Sequence, residues 1–209
     1  MKKLLFAVSA LAALSLLAPS AGFAQFTYSN QVGLYTTSDG LGLSETFAIG
    51  APVDVYLVLT MPTNTNVSPE VPYATINAFE CTLNFSSVVG MFKLLDAMAP
   101  SVNVGDTANF GSGYLEYIVG FGANQDVVNG AVSLVHFQFM HLVPGLVEIT
   151  LGPSSKPSIP GEMVFQSVSG QLRAMYSAAG AHANPVFKFD GNTVPVETES
   201  FGTVKALFR

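Results

Sequence analysis

Apolar and polar side chains alternate along five long segments of the chain, residues 52–61, 75–85, 113–121, 131–141 and 145–151. In such a pattern every second side chain lies on the same face, as a strand requires when one of its faces is buried. The alternation therefore predicts five strands. It also predicts a core that contains Phe79, Phe85, Phe137 and Phe139.

Five shorter segments, residues 31–37, 88–95, 163–168, 171–176 and 186–189, raise the total to about nine or ten strands. Turn-forming pairs separate the strands: Asp39-Gly40, Asn129-Gly130, Pro144-Gly145, Pro160-Gly161 and Asp190-Gly191. Two proline-rich segments, 62–72 and 152–160, are predicted to be loops. Helical periodicity is nearly absent after residue 24. The pattern predicts an all-β fold, a single antiparallel β-sandwich.

The first 24 residues have the pattern of an export signal. Lys2 and Lys3 precede an apolar run from residue 4 to 17, and Gly22-Phe23-Ala24 forms a small-x-small cleavage site. That run is shorter than the roughly 20 residues needed to span a bilayer. We predict a signal peptide at 1–24 and a mature chain that starts at Gln25 and is secreted to the periplasm, the cell surface or the extracellular space.

Residues 25–209 suit one domain. Within it, segment 198–209 forms a tail, in which Phe201, Val204, Leu207 and Phe208 share one helical face. A short helix is the favoured interpretation. A last strand is the alternative, because Val204, Ala206 and Phe208 also alternate.

The charge of the mature chain restricts its partners. All 14 acidic residues and six of the eight basic ones follow residue 24, so the mature chain carries a formal charge of −8. Such a chain lacks the basic surface that nucleic acid requires, and anionic lipid should repel it. Cys81 is the only cysteine, which excludes an intramolecular disulfide and leaves the core to hold the fold.

Catalytic patterns are missing from the sequence. His136 and His141 are five residues apart and point to opposite faces of one strand, and His182 is distant in sequence. Cys81 lies in an apolar alternation and is expected to be a small buried hydrophobe. The carboxylates on strand exteriors are expected to form a solvated face: Asp54, Glu80, Glu116 and Glu148. We predict that the chain is not an enzyme.

Two sets of residues are candidates for ligand contacts, and no other cofactor is expected. A structural calcium ion could use oxygen ligands from Asn124, Asp126, Asn129 and Asp190. Three tyrosines on the polar phases of their strands could stack on a sugar ring: Tyr56, Tyr114 and Tyr176.

Three blocks of sequence resemble the cohesin-like β-sandwiches, which share their fold with several carbohydrate-binding modules. The blocks are residues 53–60 (VDVYLVLT), 76–89 (INAFECTLNFSSVV) and 129–151 (NGAVSLVHFQFMHLVPGLVEITL). The resemblance implies a jelly-roll type sandwich and a non-catalytic binding role. The Tyr-Asp-Pro signature of that family is Asn84-Phe85-Ser86-Ser87 here, so no dockerin-binding residue is carried over.

Residues 201–209 (FGTVKALFR) resemble the Trp-Gly-x-Val-Lys-x-Leu-Tyr-Arg type of ending found in uncharacterised secreted bacterial proteins. The sequence as a whole predicts a secreted, non-catalytic binding module whose ligand is a protein or a glycan. A structural or assembly component of a secreted or surface layer is the first alternative. A glycoside hydrolase-like enzyme with two carboxylates in a cleft is a further, less favoured one.

Overall fold

The structure, a computed structural model, describes residues 28–42 and 47–189, and its regular elements are almost entirely strands. In chain order the strands are β1 (Gln31–Tyr35), β2 (Pro52–Thr60), β3 (Thr63–Asn64), β4 (Val71–Pro72), β5 (Thr75–Phe85), β6 (Met91–Ala97), β7 (Ser101–Asn103), β8 (Tyr114–Asp126), β9 (Ala131–His141), β10 (Val147–Gly152), β11 (Met163–Ser167), β12 (Leu172–Ser177) and β13 (Pro185–Phe189). The one helix of this part of the chain is a short 3-10 turn, Phe110–Ser112.

All ten predicted strands are present, and β5 and β9 have the predicted bounds. Three further strands, β3, β4 and β7, were not predicted, because two or three residues are too few to show an alternation. Strand β8 runs five residues beyond its predicted end at 121, since Gln125 and Asp126 pair with Ile76 and Thr75 of β5. The large side chains that mark the first part of β8 do not continue along this extension.

The first layer, here called the front sheet, has the strand order β1-β2-β9-β6, and each pair in it is antiparallel. Strand β9 lies at its centre and pairs with β2 on one side and with β6 on the other. Strand β6 is the outer edge of the layer. Tyr56 of β2 is the cross-strand partner of Tyr35 and of His136, so these three residues form one row across the sheet.

The second layer, the back sheet, is built around β5. Along one edge, β5 pairs with β8, and β8 pairs with β7. Along its other edge, the first half of β5 pairs with β11 and the second half pairs with β10. Strand β12 extends the sheet beyond β11, and β13 extends it beyond β10.

The two layers are joined by a parallel pair between β1 and β12, in which Gln31 lies opposite Tyr176 and Val32 opposite Ser177. All other strand pairs of the described residues are antiparallel, as predicted. Alternation reports which face a side chain lies on and carries no information about strand direction, so the sequence did not reveal this pair.

The segment 62–72, predicted to be a loop, contains the small β3–β4 hairpin. Arg173 fixes this hairpin to β12, because its Nε and one terminal nitrogen donate to Asn64 Oδ1 at 3.1 and 2.6 Å. The Tyr73 hydroxyl donates to Gln171 beside it at 2.9 Å. Proline weakens strand pairing here, and side-chain hydrogen bonds hold the segment instead.

The core between the sheets is rich in phenylalanine. Phe79, Phe85, Phe137 and Phe139 are at most 8% exposed, which confirms the predicted core positions. The Phe139 ring lies 5.2 to 6.0 Å from four other rings, those of Phe85, Phe110, Phe137 and Phe189. Aromatic side chains bury large apolar areas, so this cluster contributes strongly to the stability of the sandwich.

Several predicted features lie outside the described residues. They are the signal peptide at 1–24, the mature start at Gln25, the tail segment 198–209 and the calcium candidate Asp190. These features stay predictions.

Candidate functional site

A groove lies on the outer face of the back sheet, where two rows of side chains cross it. Cross-strand pairing places the first row as Val102, Gly120, Ala78, Gln166 and Leu172, on β7, β8, β5, β11 and β12. A second row, two residues along, contains Ile118, Glu80 and Val164. Since alternate residues of a strand share a face, both rows lie on the outside of the sandwich.

The shape of the groove follows from the sizes of these residues. Small residues, Gly120 and Ala78, occupy the middle of the first row, while Val102 and Leu172 stand at its two ends. The resulting concavity has a volume of about 380 Å³. A Cβ atom added at Gly120 would meet no atom within 4 Å, so the absence of a side chain there leaves open space.

The walls of the groove are apolar and exposed. Val102 and Val104 are 69% and 73% exposed, and Leu172 is also exposed. Aliphatic side chains gathered around a concavity mark a binding surface more often than isolated exposed ones do.

The loop 153–162 crosses the same outer face and is held there by two carboxylates. Glu116 accepts a hydrogen bond from the backbone N–H of Ser155, and Glu80 accepts one from the backbone N–H of Ser158. The Ser158 hydroxyl adds a contact of 3.2 Å to the second oxygen of Glu80. The loop predicted at 152–160 is therefore present and fastened to the sheet.

These contacts correct the expectation that the strand-exterior carboxylates form a solvated face. Glu80 is buried, because the loop covers it. Glu148 forms an ion pair with Lys188 at 2.6 Å, and Asp54 alone of the four is strongly exposed. Sequence reasoning placed these side chains outside the core correctly, but it could not show that a distant loop folds over two of them.

The loop attachment at Glu116 is expected to weaken in acid. The backbone N–H of Ser155 holds the pKa of Glu116 below its ordinary value. A carboxyl group whose pKa is lowered by folding stabilises the folded state at pH values above its unfolded pKa of about 4.3. This stabilisation is lost as the pH falls through the pKa of the folded state. Hydrogen exchange at the Ser155 amide should therefore stay constant from pH 7 to about 5, after correction for intrinsic rates, and accelerate below about pH 4.

Glu116→Gln supplies the control for this pH dependence, because a neutral amide oxygen accepts the same hydrogen bond and does not titrate. The corrected exchange at Ser155 in this variant should not change between pH 5 and 3. Equal acid sensitivity in both proteins would show that another group governs the loop.

The aromatic candidate Tyr56 lies on the outer face of the front sheet, next to His136. Their rings are nearly parallel, with centroids 4.4 Å apart. His136 Nε2 lies 2.9 Å from Asp54 Oδ1, and Gln138 donates to the same oxygen at 3.3 Å. Because His136 covers one face of the Tyr56 ring, at most one face could stack on a sugar.

The three candidate tyrosines do not form one surface. Tyr114 is on β8 in the back sheet, where its hydroxyl donates to Asp106 at 3.2 Å, and this hydrogen bond raises the pKa of Tyr114. Tyr176 is exposed on β12. On β1 the partner of Tyr176 is Gln31, whereas the partner of Tyr56 is Tyr35. These two partners are four residues apart, which corresponds to roughly 13 Å along the strand. A shared sugar platform therefore does not form from these residues.

The calcium candidates are distributed over a strand and a turn. Asn124 and Asp126 follow the predicted strand end at 121, but they lie in β8, where alternate positions place them on one face. Asn129 is in the turn between β8 and β9 with φ 52°, a backbone conformation that asparagine tolerates. In residues 28–42 and 47–189, no group of three or more His, Cys, Asp or Glu side chains could hold a metal. Calcium binding stays a prediction.

The remaining polar candidates are the three histidines and Cys81. His136 and His141 point to opposite sides of β9, as predicted, and His141 is buried. His182 Nδ1 lies 3.2 Å from the Leu151 carbonyl oxygen. Cys81 is fully buried, and burial raises the pKa of its thiol, a change that disfavours the nucleophilic thiolate.

Sequence reasoning did not identify the groove residues. Val102 belongs to the unpredicted three-residue strand β7, and Gly120 has no side chain to mark it. The available signal was the pair Val102 and Val104, two exposed aliphatic residues two positions apart in a segment rich in Ser, Asn and Gly.

Comparison with known proteins shows similarity at the level of fold. No family profile and no curated protein matches the chain. Among solved structures, the second type II cohesin module of the adaptor ScaA scaffoldin of Acetivibrio cellulolyticus matches with a TM-score of 0.51 and 8% identity, over 87% of this chain and 100% of that one.

Two other cohesins are also similar. A type II cohesin domain from the cellulosome of Acetivibrio cellulolyticus has a TM-score of 0.49 and 9% identity, over 77% of this chain and 95% of that one. A non-cellulosomal cohesin from Archaeoglobus fulgidus has a TM-score of 0.44 and 9% identity, over 72% and 86%.

The chain therefore has a cohesin-like β-sandwich fold, as its sequence blocks suggested. At this identity the similarity describes the architecture, and the function has to be argued from the site. None of the helices described here has the length and apolar character needed to cross a membrane.

Proposed function

We propose that this chain is a secreted, non-catalytic protein-interaction module whose partner binds in the groove of the back sheet. The observation that carries the proposal is the apolar concavity over Gly120 and Ala78, which is bordered by the exposed side chains of Val102, Val104 and Leu172. Its volume of about 380 Å³ lies within the usual range of about 300–1,000 Å³ for ligand sites.

The chemistry of the groove favours a protein side chain over a sugar. Sugars need a ring to stack on and several polar groups, whereas this lining is mostly aliphatic. Its aromatic members, Phe79 and Phe165, are buried core residues, and its polar side chains are Glu80, Gln166 and Ser158. One or two apolar side chains of a partner would suit this surface. The cohesin-like fold supports the same choice, since the similar structures are cohesin modules.

The same contacts support a non-catalytic role. Glycoside hydrolysis needs one carboxyl group that donates a proton and a second that attacks or activates water. At this groove the carboxylates of Glu80 and Glu116 accept backbone hydrogen bonds from the loop 153–162, which fixes them in place. We therefore assign them to holding the loop.

Export belongs to the same proposal. It rests on the leader pattern at 1–24. The proposed location of the mature chain is the periplasm, the cell surface or the extracellular space.

A variant that fills the groove tests the proposed binding. Gly120→Val should weaken binding of the partner at least about tenfold while leaving stability unchanged or slightly higher, because a β-branched residue suits a strand and the space is open. Immobilised wild-type and variant domains would be exposed to culture supernatant and cell-surface extract, and retained proteins would be identified and titrated.

Ser133→Val is the matched control, because it adds the same side chain at an exposed position of β9 in the front sheet. Support requires a protein retained by wild type and Ser133→Val and lost with Gly120→Val. Equal retention by all three domains would overturn the groove as the site. A glycan array that bound the wild type, but not Gly120→Val, would replace the protein partner by a sugar.

A second candidate function, assembly between copies, is favoured by strand β6. This strand is the outer edge of the front sheet and exposes Phe92, Leu94 and Leu95. An edge strand offers unpaired backbone groups to another strand, and apolar side chains strengthen such a contact. Sedimentation of residues 25–209 at rising concentration tests it, and a monomer throughout would reject this function.

A further inference from the structure

The end of the sandwich where β13 stops carries an exposed apolar surface, here called the end patch. It consists of Ile49, Val89, Leu142 and Leu146, whose exposures range from 45% to 72%. These residues lie in three loops, which contain Ile49, Val89 and the segment 142–146. Backbone hydrogen bonds hold the loops together, because the Gly50 N–H donates to the His141 carbonyl and the Leu142 N–H donates to the Gly90 carbonyl, both at 2.8 Å. Four large aliphatic side chains on adjoining loops form a surface suited to an apolar partner.

A pocket of about 190 Å³ opens beside the end patch. Phe47, Val53, Val143 and Phe189 line it, together with His141. The His141 side chain is only 9% exposed, and its ring packs edge-on against Phe189 with centroids 6.4 Å apart. Because its lining is mostly apolar, this pocket favours an occupant with apolar side chains.

The described part of the chain ends beside this pocket. Phe189 lines the pocket and is the last described residue, and residues 190–209 follow it. Residues 200–209 (SFGTVKALFR) contain four large apolar side chains, two cations and no acid. The described part of the chain has ten carboxylates and four cations, a formal charge of −6. The positive charge of this segment is therefore opposite in sign to the net charge of the described part, and its apolar side chains match the apolar end patch.

The connection between Phe189 and residues 200–209 is long enough for the segment to reach the end patch. Phe201 follows Phe189 by 12 residues, which extend to at most about 40 Å. A tether of this length keeps the segment at an effective concentration of roughly millimolar. A contact that would be too weak between separate molecules is therefore sufficient within one chain.

We propose that residues 200–209 dock on the end patch of their own chain. The apolar side chains of the segment cover Leu142 and its neighbours. This contact is independent of the back-sheet groove, which is lined by other residues.

A spin label on the segment tests the proposal. Thr203→Cys in the chain 25–209 provides a single reactive thiol, because Cys81 is fully buried. The label should broaden the backbone amide signals of residues 47–51, 89–90 and 141–146. It should spare the turn around Asn129, since β9 extends roughly 33 Å from Ala131 at that end to His141 at the patch.

Two exposed positions provide the matched variants. Leu142→Asp should reduce the broadening at the patch at least about fivefold, whereas Val128→Asp, at the opposite end, should leave it unchanged. Because both side chains are exposed, neither variant should affect folding.

Three results would overturn the proposal. The first is an absence of broadening at the patch, and the second is broadening that Leu142→Asp does not reduce. The third comes from mixing isotope-labelled protein that lacks a spin label with spin-labelled protein that lacks isotope. Broadening in that mixture would show that the segment comes from a second copy.

Discussion

Replacing Phe139 by alanine is expected to lower the free energy of unfolding by about 3–5 kcal/mol. The Phe139 side chain is fully buried, and its ring lies within 6.0 Å of the rings of Phe85, Phe110, Phe137 and Phe189. These residues come from β5, the 3-10 turn, β9 and β13. The cavity left by the substitution would therefore loosen both sheets at once. Urea denaturation followed by circular dichroism measures the change.

Phe92→Ala is the matched control, because Phe92 is 47% exposed on the edge strand β6. This variant should change the free energy of unfolding by less than about 0.5 kcal/mol in the monomer. Phe139→Leu, which retains most of the apolar volume, should lie between the two and keeps the test usable if the alanine variant does not fold. A loss below about 1 kcal/mol for Phe139→Ala would show that the phenylalanine cluster does not hold the sandwich together.

The size of this effect matters because the core has no covalent support. Cys81 is the only cysteine, and it is buried between the sheets. Domains of this size are typically stable by about 5–15 kcal/mol. One phenylalanine could thus account for a third or more of the net stability, and we expect Phe139→Ala to be sensitive to modest heating.

The core was predictable from the sequence because alternation encodes which face of a strand is buried. Phe79 and Phe85, two of the predicted core residues, are at most 8% exposed, and β5 has the predicted bounds. An apolar residue at every second position is enough to predict both that a segment is a strand and which of its faces packs against the core. The prediction needed no knowledge of which strands pair.

The pairing of the strands was harder to predict from the sequence. The parallel contact between β1 and β12 joins residues about 145 positions apart, such as Gln31 and Tyr176, and nothing local distinguishes it from an antiparallel one. The groove depends on such pairings, because Val102, Gly120 and Ala78 become neighbours only through the register of β7, β8 and β5. A site formed by small residues from several strands has no sequence motif.

Loop coverage was also hidden from the sequence. Glu80 follows the polar phase of β5, so exposure was the reasonable expectation, and the structure buries it under residues 153–162. By contrast, the candidate tyrosines do lie on outer faces, but on separate parts of the molecule. Local pattern thus located side chains relative to their own strand and could not place distant segments against one another.

Glu80 connects the loop to the groove. Its carboxylate binds Ser158 of the loop, while its neighbours Ile118 and Val164 lie beside it in the second row of the groove. Holding the loop against the sheet therefore also shapes one wall of the proposed binding surface. A change that releases the loop should alter both local stability and partner binding.

Glu80→Ala is expected to release the loop and to lower the free energy of unfolding by about 2 kcal/mol, the range for hydrogen bonds to a charged acceptor. The Ser158 N–H and hydroxyl both lose their acceptor in this variant. Hydrogen exchange at the Ser158 amide should accelerate about 30-fold, since each 1.4 kcal/mol corresponds to a factor of ten. Exchange measured residue by residue, together with urea denaturation, checks both numbers.

Two variants show whether the effect belongs to the Glu80 contact. Glu162→Ala removes a carboxylate at the end of the same loop whose side chain has no hydrogen-bond partner among the described residues, and it should change stability by less than about 0.5 kcal/mol. Glu80→Gln retains an acceptor oxygen without the charge and should lose about half as much as Glu80→Ala. If Ser158 exchanged equally fast in wild type and Glu80→Ala, the carboxylate would not be what holds the loop, and the groove wall would have to be stabilised by the strands alone.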